Sequence, residues 1–115
     1  MSADASEPFD LSRPRGDGPL WGIASEDLNA TLLSWSPGEA VAEHVNAERD
    51  VLIIVTAGSG LAIVDNEERS LKPGHALLIA KGARRSIQAG DRGLRYVSVH
   101  RRRGPLRIDP SPPRT

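Results

Sequence analysis

The side chains best suited to chemistry in this sequence are a histidine, an asparagine and an arginine. His44 and Asn46 stand two residues apart in a segment with strand character, so both face the same side of that strand. Arg85 lies further along the chain, next to Arg84. An imidazole exchanges protons near neutral pH, an amide orients polar groups, and a guanidinium pairs with carboxylates. These side-chain types suit the binding of a small polar or anionic molecule, with His44 as a candidate general base.

Arg85 has two interpretations, which differ in the direction of its side chain. If the side chain points outward, it is a surface arginine beside Arg84. If it points inward, the guanidinium loses its hydration and needs a partner to offset that cost. Glu48, Asp50 or an anionic ligand could supply this partner. The inward orientation therefore predicts either a buried ion pair or an anion site.

The elements that position these residues are predicted to be short strands. The chain has 115 residues, and its 11 glycines and 9 prolines recur between short apolar segments instead of gathering in one linker. This punctuation is typical of an all-β sandwich or barrel. A helical turn is plausible only within residues 24–30. The eight predicted strands are 28–35, 41–46, 51–56, 61–65, 69–71, 76–80, 86–89 and 94–100, with breaks at Gly58–Gly60 and Gly90–Gly93 and a hairpin turn at residues 65–67.

Glycines and one histidine follow the spacing of a known family over about half of the chain. In the cupin family the first motif reads G-x5-H-x-H-x3,4-E-x6-G; here Gly38 is followed after five residues by His44, and Gly58 closes the segment. The second motif, G-x5-P-x-G-x2-H-x3-N, matches a glycine frame that starts at Gly74 and ends at Arg85. The sequence therefore resembles a small single-domain cupin. That resemblance implies an all-β double-stranded β-helix, a jelly-roll barrel.

The resemblance also identifies the positions where metal-dependent cupins bind their metal, and here those positions are altered. His44 occupies the first ligand position, but Asn46 replaces the second histidine and Val51 replaces the glutamate. Arg85 replaces the last histidine, and its permanent positive charge repels a cation. We therefore predict no metal and no other cofactor.

One alternative retains a divalent transition metal. A shift of one residue places Asp50 at the carboxylate position, and His100 lies on the last predicted strand, on the same face as Tyr96 and Ser98. His44, Asp50 and His100 would then form a set of two histidines and one carboxylate, which iron or manganese accepts.

Three functions follow from these expectations. The first is a metal-free barrel that binds a small anionic or polar molecule through Asn46 and Arg85, with Ile53, Val55 and His100 in the pocket wall. His44 could then support isomerase- or lyase-type chemistry, which leaves open whether the protein is an enzyme. The second is a divergent metal-dependent oxygenase or epimerase. The third is a non-catalytic interaction module that uses the arginine-rich segment 84–108, where eight arginines accompany one aspartate.

The domain limits and partners follow from composition and from the resemblance. We expect a flexible or loosely docked arm over residues 1–18, a barrel over 19–108 and a proline-rich tail over 109–115. The formal net charge of zero and the scarcity of aromatic residues exclude a nucleic-acid patch, and no apolar segment is long enough for a membrane span. The absence of cysteine and of a signal-like N-terminus predicts a cytoplasmic protein. The resemblance implies a homodimer.

Overall fold

The computed structural model describes residues 7–102, and every regular element in this part of the chain is a β-strand. All strand pairs are antiparallel. The same residues include no helix with the length and apolar character that crossing a bilayer requires. The seven strands are β1 (Gly18–Ala24), β2 (Leu28–Trp35), β3 (Ala40–Val45), β4 (Val51–Val64), β5 (Glu67–Leu71), β6 (Ala76–Ile79) and β7 (Arg84–Arg101).

Two long strands, β4 and β7, organise the barrel. They pair along almost their whole lengths, from Val51 opposite His100 to Val64 opposite Arg85. The seven strands form one hydrogen-bonded sheet, and register shifts near the middle of the β4–β7 pairing, where both strands bend, divide it into two parts. The first part, called the first sheet below, has the order β6-β4-β7-β2-β1, and the second part, called the second sheet, has the order β5-β4-β7-β3.

The predicted strand breaks at Gly58–Gly60 and Gly90–Gly93 were wrong, because these glycines bend the strands without ending them. The backbones of β4 and β7 approach each other very closely at the bend. A Cβ atom on Gly58 would lie 2.2 Å from the carbonyl oxygen of Gly93, and one on Gly60 would lie 2.5 Å from that of Gln88. Glycine is therefore needed for close passage of the two chains.

Strand β1 was not predicted, and the suggested helical turn within residues 24–30 does not form. A tight turn fills this position instead, in which the Ser25 N–H donates to the Leu28 carbonyl (2.8 Å) and the Leu28 N–H donates to Ser25 Oγ (3.0 Å). Pro19 and Gly22 weaken the strand signal of β1. Both are tolerated because β1 lies at the edge of the first sheet and pairs only with β2.

The described part of the predicted N-terminal arm lies against the first sheet. The rings of Phe9 and Trp21 stack with centroids 5.0 Å apart, and the Arg95 guanidinium donates to the Pro14 carbonyl. Residues 1–6 and 103–115, which include the end of the predicted barrel and arginine-rich segment and the predicted tail over 109–115, lie outside the described residues.

The main core lies between the inner faces of the two sheets. Alternation along β4 and β7 turns every second side chain inward. Leu32 and Val97 are buried on the opposite, outer face of the first sheet. On that face Leu32 lies between its two strand partners, Trp21 of β1 and Val97 of β7. On the same outer face, Ile54 and Leu78 stay exposed. The buried members of the inner cluster are Ile53, Val55, Ala62, Leu71, Ile79, Ala83, Ile87, Ala89, Leu94 and Tyr96.

The predicted hairpin turn between β4 and β5 is confirmed. Asp65 and Asn66 have positive φ angles of 49° and 69°, and Val64 and Glu67 pair on either side of them. Two successive left-handed residues match the twist of the adjoining strands, and asparagine and aspartate are the residues that best tolerate this conformation after glycine.

Candidate functional site

The candidate site is built around Arg85, whose side chain points into the barrel. It is 3% exposed and lies between two other buried residues, Ala83 just before β7 and Ile87 on β7. Its Nε donates a hydrogen bond to the Ala83 carbonyl (3.1 Å), and its Nη2 donates to the Ala80 carbonyl (3.2 Å). Of the two predicted orientations, the structure has the inward one.

Within the part of the chain that the structure describes, no counter-ion directly contacts the charge of Arg85. Among residues 7–102 the ion pair within bonding distance joins Arg69 to Glu67, so neither Glu48 nor Asp50 pairs with Arg85. Burial lowers the pKa of Arg85, and the more distant Asp65 carboxylate partly opposes that effect. Two carbonyl dipoles offset only part of the desolvation of a guanidinium. The interior therefore carries an excess of positive potential at this point.

His44 lies on the same face of the sheet as Arg85. The two residues are direct partners in the pairing of β3 with β7, and directly opposite residues share a face. His44 is exposed, so it lies at the rim of the barrel. Its Nδ1 is 3.0 Å from the Ala42 carbonyl, which requires the proton on Nδ1. The lone pair of Nε2 is then available to accept a proton or a hydrogen bond.

Asn46 and Asp50 brace the connection between β3 and β4. The side-chain oxygen of Asn46 accepts from the backbone N–H groups of Glu48 (3.0 Å) and Arg49 (3.1 Å). Asp50 accepts from the backbone N–H of Lys81 (2.9 Å). The ligand role predicted for Asn46 is therefore left to its NH2 group, because the carboxamide oxygen is already used in the turn.

His100 is placed on the other half of β7, away from this turn. It lies opposite Asn29 of β2 and Val51 of β4. Its Nδ1 is 3.0 Å from the Arg101 carbonyl, and Asn29 Nδ2 lies 3.5 Å from its Nε2. The structure does not gather His44, Asp50 and His100: within residues 7–102 no three histidine, aspartate or glutamate side chains could hold a metal together.

The residues at the cupin metal positions do not fit a divalent metal. Arg85 carries a positive charge, and Val51 has no donor atom and packs against the core. The oxygen of Asn46 is occupied by two backbone donors. Only the imidazole of His44 remains as a ligand of the ordinary type, and one imidazole does not hold a metal in a protein.

The apolar wall and one further hydroxyl complete the interior. Ile53 and Val55 are 3% and 2% exposed, as expected of residues that face the barrel. Tyr96 is also buried, and its hydroxyl accepts a hydrogen bond from Trp35 Nε1 (3.1 Å). Burial raises the pKa of Tyr96, and the Trp35 hydrogen bond lowers it by less. The phenol is therefore neutral at physiological pH and retains a proton to donate.

Sequence reasoning assigned no role to Tyr96 and missed Asn29 and Thr31. On the inner face Asn29 lies opposite His100, and Thr31 lies opposite Ser98. Both line a pocket of about 280 Å³ next to β1. The signal was present in the alternation of Asn29, Thr31 and Leu33, which puts two polar side chains on one face of β2.

Comparison with known proteins identifies the fold. No protein-family model matches the sequence, and no curated protein matches it. Among solved structures, a cupin protein from Bacteroides fragilis superposes with a TM-score of 0.67 at 19% identity, over 81% of this chain and 83% of that one. A Klebsiella pneumoniae protein with a double-stranded β-helix domain gives a TM-score of 0.69 at 21% identity, over 82% and 88% of the two chains. The chain has the fold of a small cupin domain.

A third structure supports the same conclusion. A cupin-2 domain protein from Shewanella frigidimarina superposes with a TM-score of 0.68 at 20% identity, over 80% of this chain and 88% of that one. The expected all-β cupin barrel is thus confirmed. Within the cupin frame, the position normally held by the last metal-binding histidine is the one that carries the buried Arg85.

Proposed function

We propose that this cupin domain binds a small anionic molecule, such as a carboxylate, at the end of the barrel where Arg85 and His44 lie. The observation that carries the proposal is that Arg85 is 3% exposed without a carboxylate partner among the described residues. A guanidinium in this state gains more from an incoming anion than one in water, because its hydration has already been lost. The adjacent apolar wall supplies the other usual component of a small-ligand site.

His44 and Tyr96 extend the proposal from binding to chemistry. His44 shares the face of Arg85 and has an available Nε2, so it can accept a proton from a bound acid. Tyr96 has a neutral hydroxyl that can donate to a ligand oxygen. A base at the rim and an anion clamp within the barrel support isomerase- or lyase-type acid–base chemistry on a carboxylic acid.

The decisive experiment measures the binding of small carboxylates by isothermal titration calorimetry to three proteins. These are the unaltered protein, Arg85→Ala, and Arg84→Ala as a matched control, because Arg84 adjoins Arg85 and is exposed. We expect Arg85→Ala to weaken binding by about tenfold to a hundredfold, the usual effect of removing a charge-assisted hydrogen bond. Arg84→Ala should change the affinity by less than about twofold.

Two results would overturn the proposal. One is equal affinity in Arg85→Ala and Arg84→Ala, when circular dichroism shows that both variants are folded. The other is loss of carboxylate binding after treatment with a chelator together with about one transition metal per purified chain by elemental mass spectrometry. The second result would favour the metal-dependent alternative. Under our proposal, chelated and untreated protein bind alike.

A homodimer and a non-catalytic interaction role through the arginine-rich segment stay predictions of the sequence. Light scattering at several protein concentrations measures the mass of the particle and tests the dimer. If Arg85→Ala leaves carboxylate binding unchanged, the interaction role becomes the leading alternative.

A further inference from the structure

A second pocket lies where β4 and β7 bend, and the proposed carboxylate site does not use it. It has a volume of about 300 Å³, and both strands contribute residues to its lining. Its lining includes Gly58 from β4 and Arg92, Gly93 and Arg95 from β7. Arg85 precedes the bend along β7 and does not line this pocket.

Two arginines give the pocket an excess of positive charge. Neither Arg92 nor Arg95 has a carboxylate within ion-pair distance among residues 7–102. Arg95 is partly buried, and its Nη2 donates to the Pro14 carbonyl, which fixes the direction of its guanidinium. The one acidic residue in the lining is Asp17, which accepts a hydrogen bond from Ser36 Oγ (2.6 Å). Two guanidinium groups against one carboxylate leave a net charge of about +1.

The base of this pocket is rigid backbone. Gly58 and Gly93 have positive φ angles of 76° and 77°. A Cβ atom on Gly93 would lie 2.7 Å from the Trp35 carbonyl oxygen, and one on Gly58 would lie 2.2 Å from Gly93. A side chain at either position would strike neighbouring backbone, so both positions require glycine and the strands pass closely beside the pocket.

The rest of the lining combines hydroxyl donors with apolar surface. Ser34 pairs with Arg95 in register, so their side chains share a face. Pro37 and Ala57, which are both exposed, supply the apolar part. An anion held by the arginines would therefore have space beside it for a small organic group.

We propose that this pocket binds the phosphate group of a small phosphomonoester. Two guanidinium groups and a nearby hydroxyl suit a tetrahedral dianion, because each guanidinium presents parallel N–H donors to phosphate oxygens. The volume of about 300 Å³ lies at the lower end of the range for small-ligand sites and exceeds the need of phosphate alone. The proposal stands independently of carboxylate binding at Arg85.

Titration calorimetry with two probes, inorganic phosphate and glycerol phosphate, tests this site. Arg92→Ala is the informative variant, because Arg92 is exposed and its loss leaves the contact between Arg95 and Pro14 intact. We expect it to weaken glycerol phosphate binding by about tenfold. The matched control is Arg101→Ala, an exposed arginine on the same strand outside the pocket, with an expected change below about twofold.

Asp17→Asn supplies a prediction of opposite sign. The amide keeps an oxygen acceptor for Ser36 and removes the negative charge that repels the ligand, so glycerol phosphate should bind about threefold more tightly. Tighter binding of glycerol phosphate than of inorganic phosphate supports a phosphomonoester. Equal binding of the two overturns the organic part of the proposal and leaves a site for free phosphate.

Three results overturn the site itself. The first is the absence of binding by either probe at millimolar concentration, and the second is an equal loss in Arg92→Ala and Arg101→Ala. The third is a loss of phosphate binding in Arg85→Ala with none in Arg92→Ala, which would place the phosphate at the barrel site. A failure of carboxylate binding at Arg85 leaves each of these comparisons unchanged.

Discussion

His44 and Arg85 are direct partners across the pairing of β3 with β7, yet His44 is exposed and Arg85 is 3% exposed. The difference arises because β3 is an edge strand with a register shift between Val41 and His44, whereas Arg85 is overlaid by the turn at residues 80–83. A proton acceptor at the rim and a desolvated cation within the barrel are thus held on one face by main-chain pairing. That relationship underlies the proposed function.

Replacement of Arg85 with methionine should leave the free energy of unfolding unchanged or raise it by about 1 to 3 kcal/mol. The reason is that an apolar side chain of similar length removes the desolvation of a cation that has no carboxylate partner among residues 7–102. Urea denaturation of the two proteins gives the difference. A loss greater than about 2 kcal/mol would show that the bonds to the Ala80 and Ala83 carbonyls are structurally essential.

Gly58→Ala should destabilise the barrel far more than Gly74→Ala. Both glycines have positive φ, 76° and 85°, so both variants carry backbone strain of about 1 kcal/mol. Only at Gly58 would the new methyl group clash, at 2.2 Å from the Gly93 carbonyl oxygen, which brings the expected loss to about 3 to 5 kcal/mol. Thermal denaturation of the pair measures it. Equal losses would contradict the close crossing of β4 and β7.

The stability of the protein should fall as the pH rises above 10.0, the ordinary pKa of a phenol, because burial raises the pKa of Tyr96. Above that pH the unfolded chain loses a proton that the folded chain still holds, so the free energy of unfolding decreases with pH. Tyr96→Phe should show a smaller decrease than the unaltered protein between about pH 8 and about pH 11.

The chain has one tyrosine, so ultraviolet titration of tyrosinate reports this group directly. A Tyr96 that ionises at the ordinary phenol pKa in the folded protein would refute the predicted pH dependence. The loss of the Trp35 hydrogen bond in Tyr96→Phe lowers stability at every pH, and the comparison between two pH values removes that constant contribution.

Substitutions of Asn46 separate its role in the turn from a role in binding. Asn46→Ala removes the acceptor for the Glu48 and Arg49 N–H groups and should lower the free energy of unfolding by about 1 kcal/mol. Asn46→Asp keeps the acceptor oxygen and should preserve stability. If both variants bind carboxylates more weakly than the unaltered protein does, the NH2 group contacts the ligand, because both variants lack it. Binding equal to that of the unaltered protein in both variants would assign the residue to the turn alone.

The fold was largely predictable because its signals are local. The alternating apolar residues of β2, the turn at Asp65 and Asn66 and the glycine spacing of the cupin motifs each depend on neighbouring residues in sequence. The continuity of β4 and β7 was not predictable in this way. The backbones of Gly58 and Gly93 approach each other from two strands that are distant in sequence. A glycine that ends a strand also has the same local sequence signal as a glycine that bends one.

The orientations of the candidate site residues were harder to predict than the strands that carry them. The position of Arg85 in the cupin motif singled it out. Its inward direction could not be predicted from strand alternation, because the predicted strand started at Ser86 whereas β7 starts at Arg84. The turn role of Asn46 depends on hydrogen bonds to residues that follow it. The position of Asn29 opposite His100 depends on pairing between strands distant in sequence, which no local pattern reveals.

The central position of β7 also governs how the chain can fold during its synthesis. This strand pairs with β2, β3 and β4, and its pairing joins Leu28 to Arg101. The ribosome therefore completes β2, β3 and β4 before their common partner exists, and the edge of β4 that pairs with β7 stays open until then. Contacts between such distant residues slow folding and prolong the interval in which unpaired strand edges can aggregate. A nascent chain that stops before Arg84 can form the β1–β2, β4–β5 and β4–β6 pairs but cannot close the barrel, so closure of the barrel is a late event in synthesis.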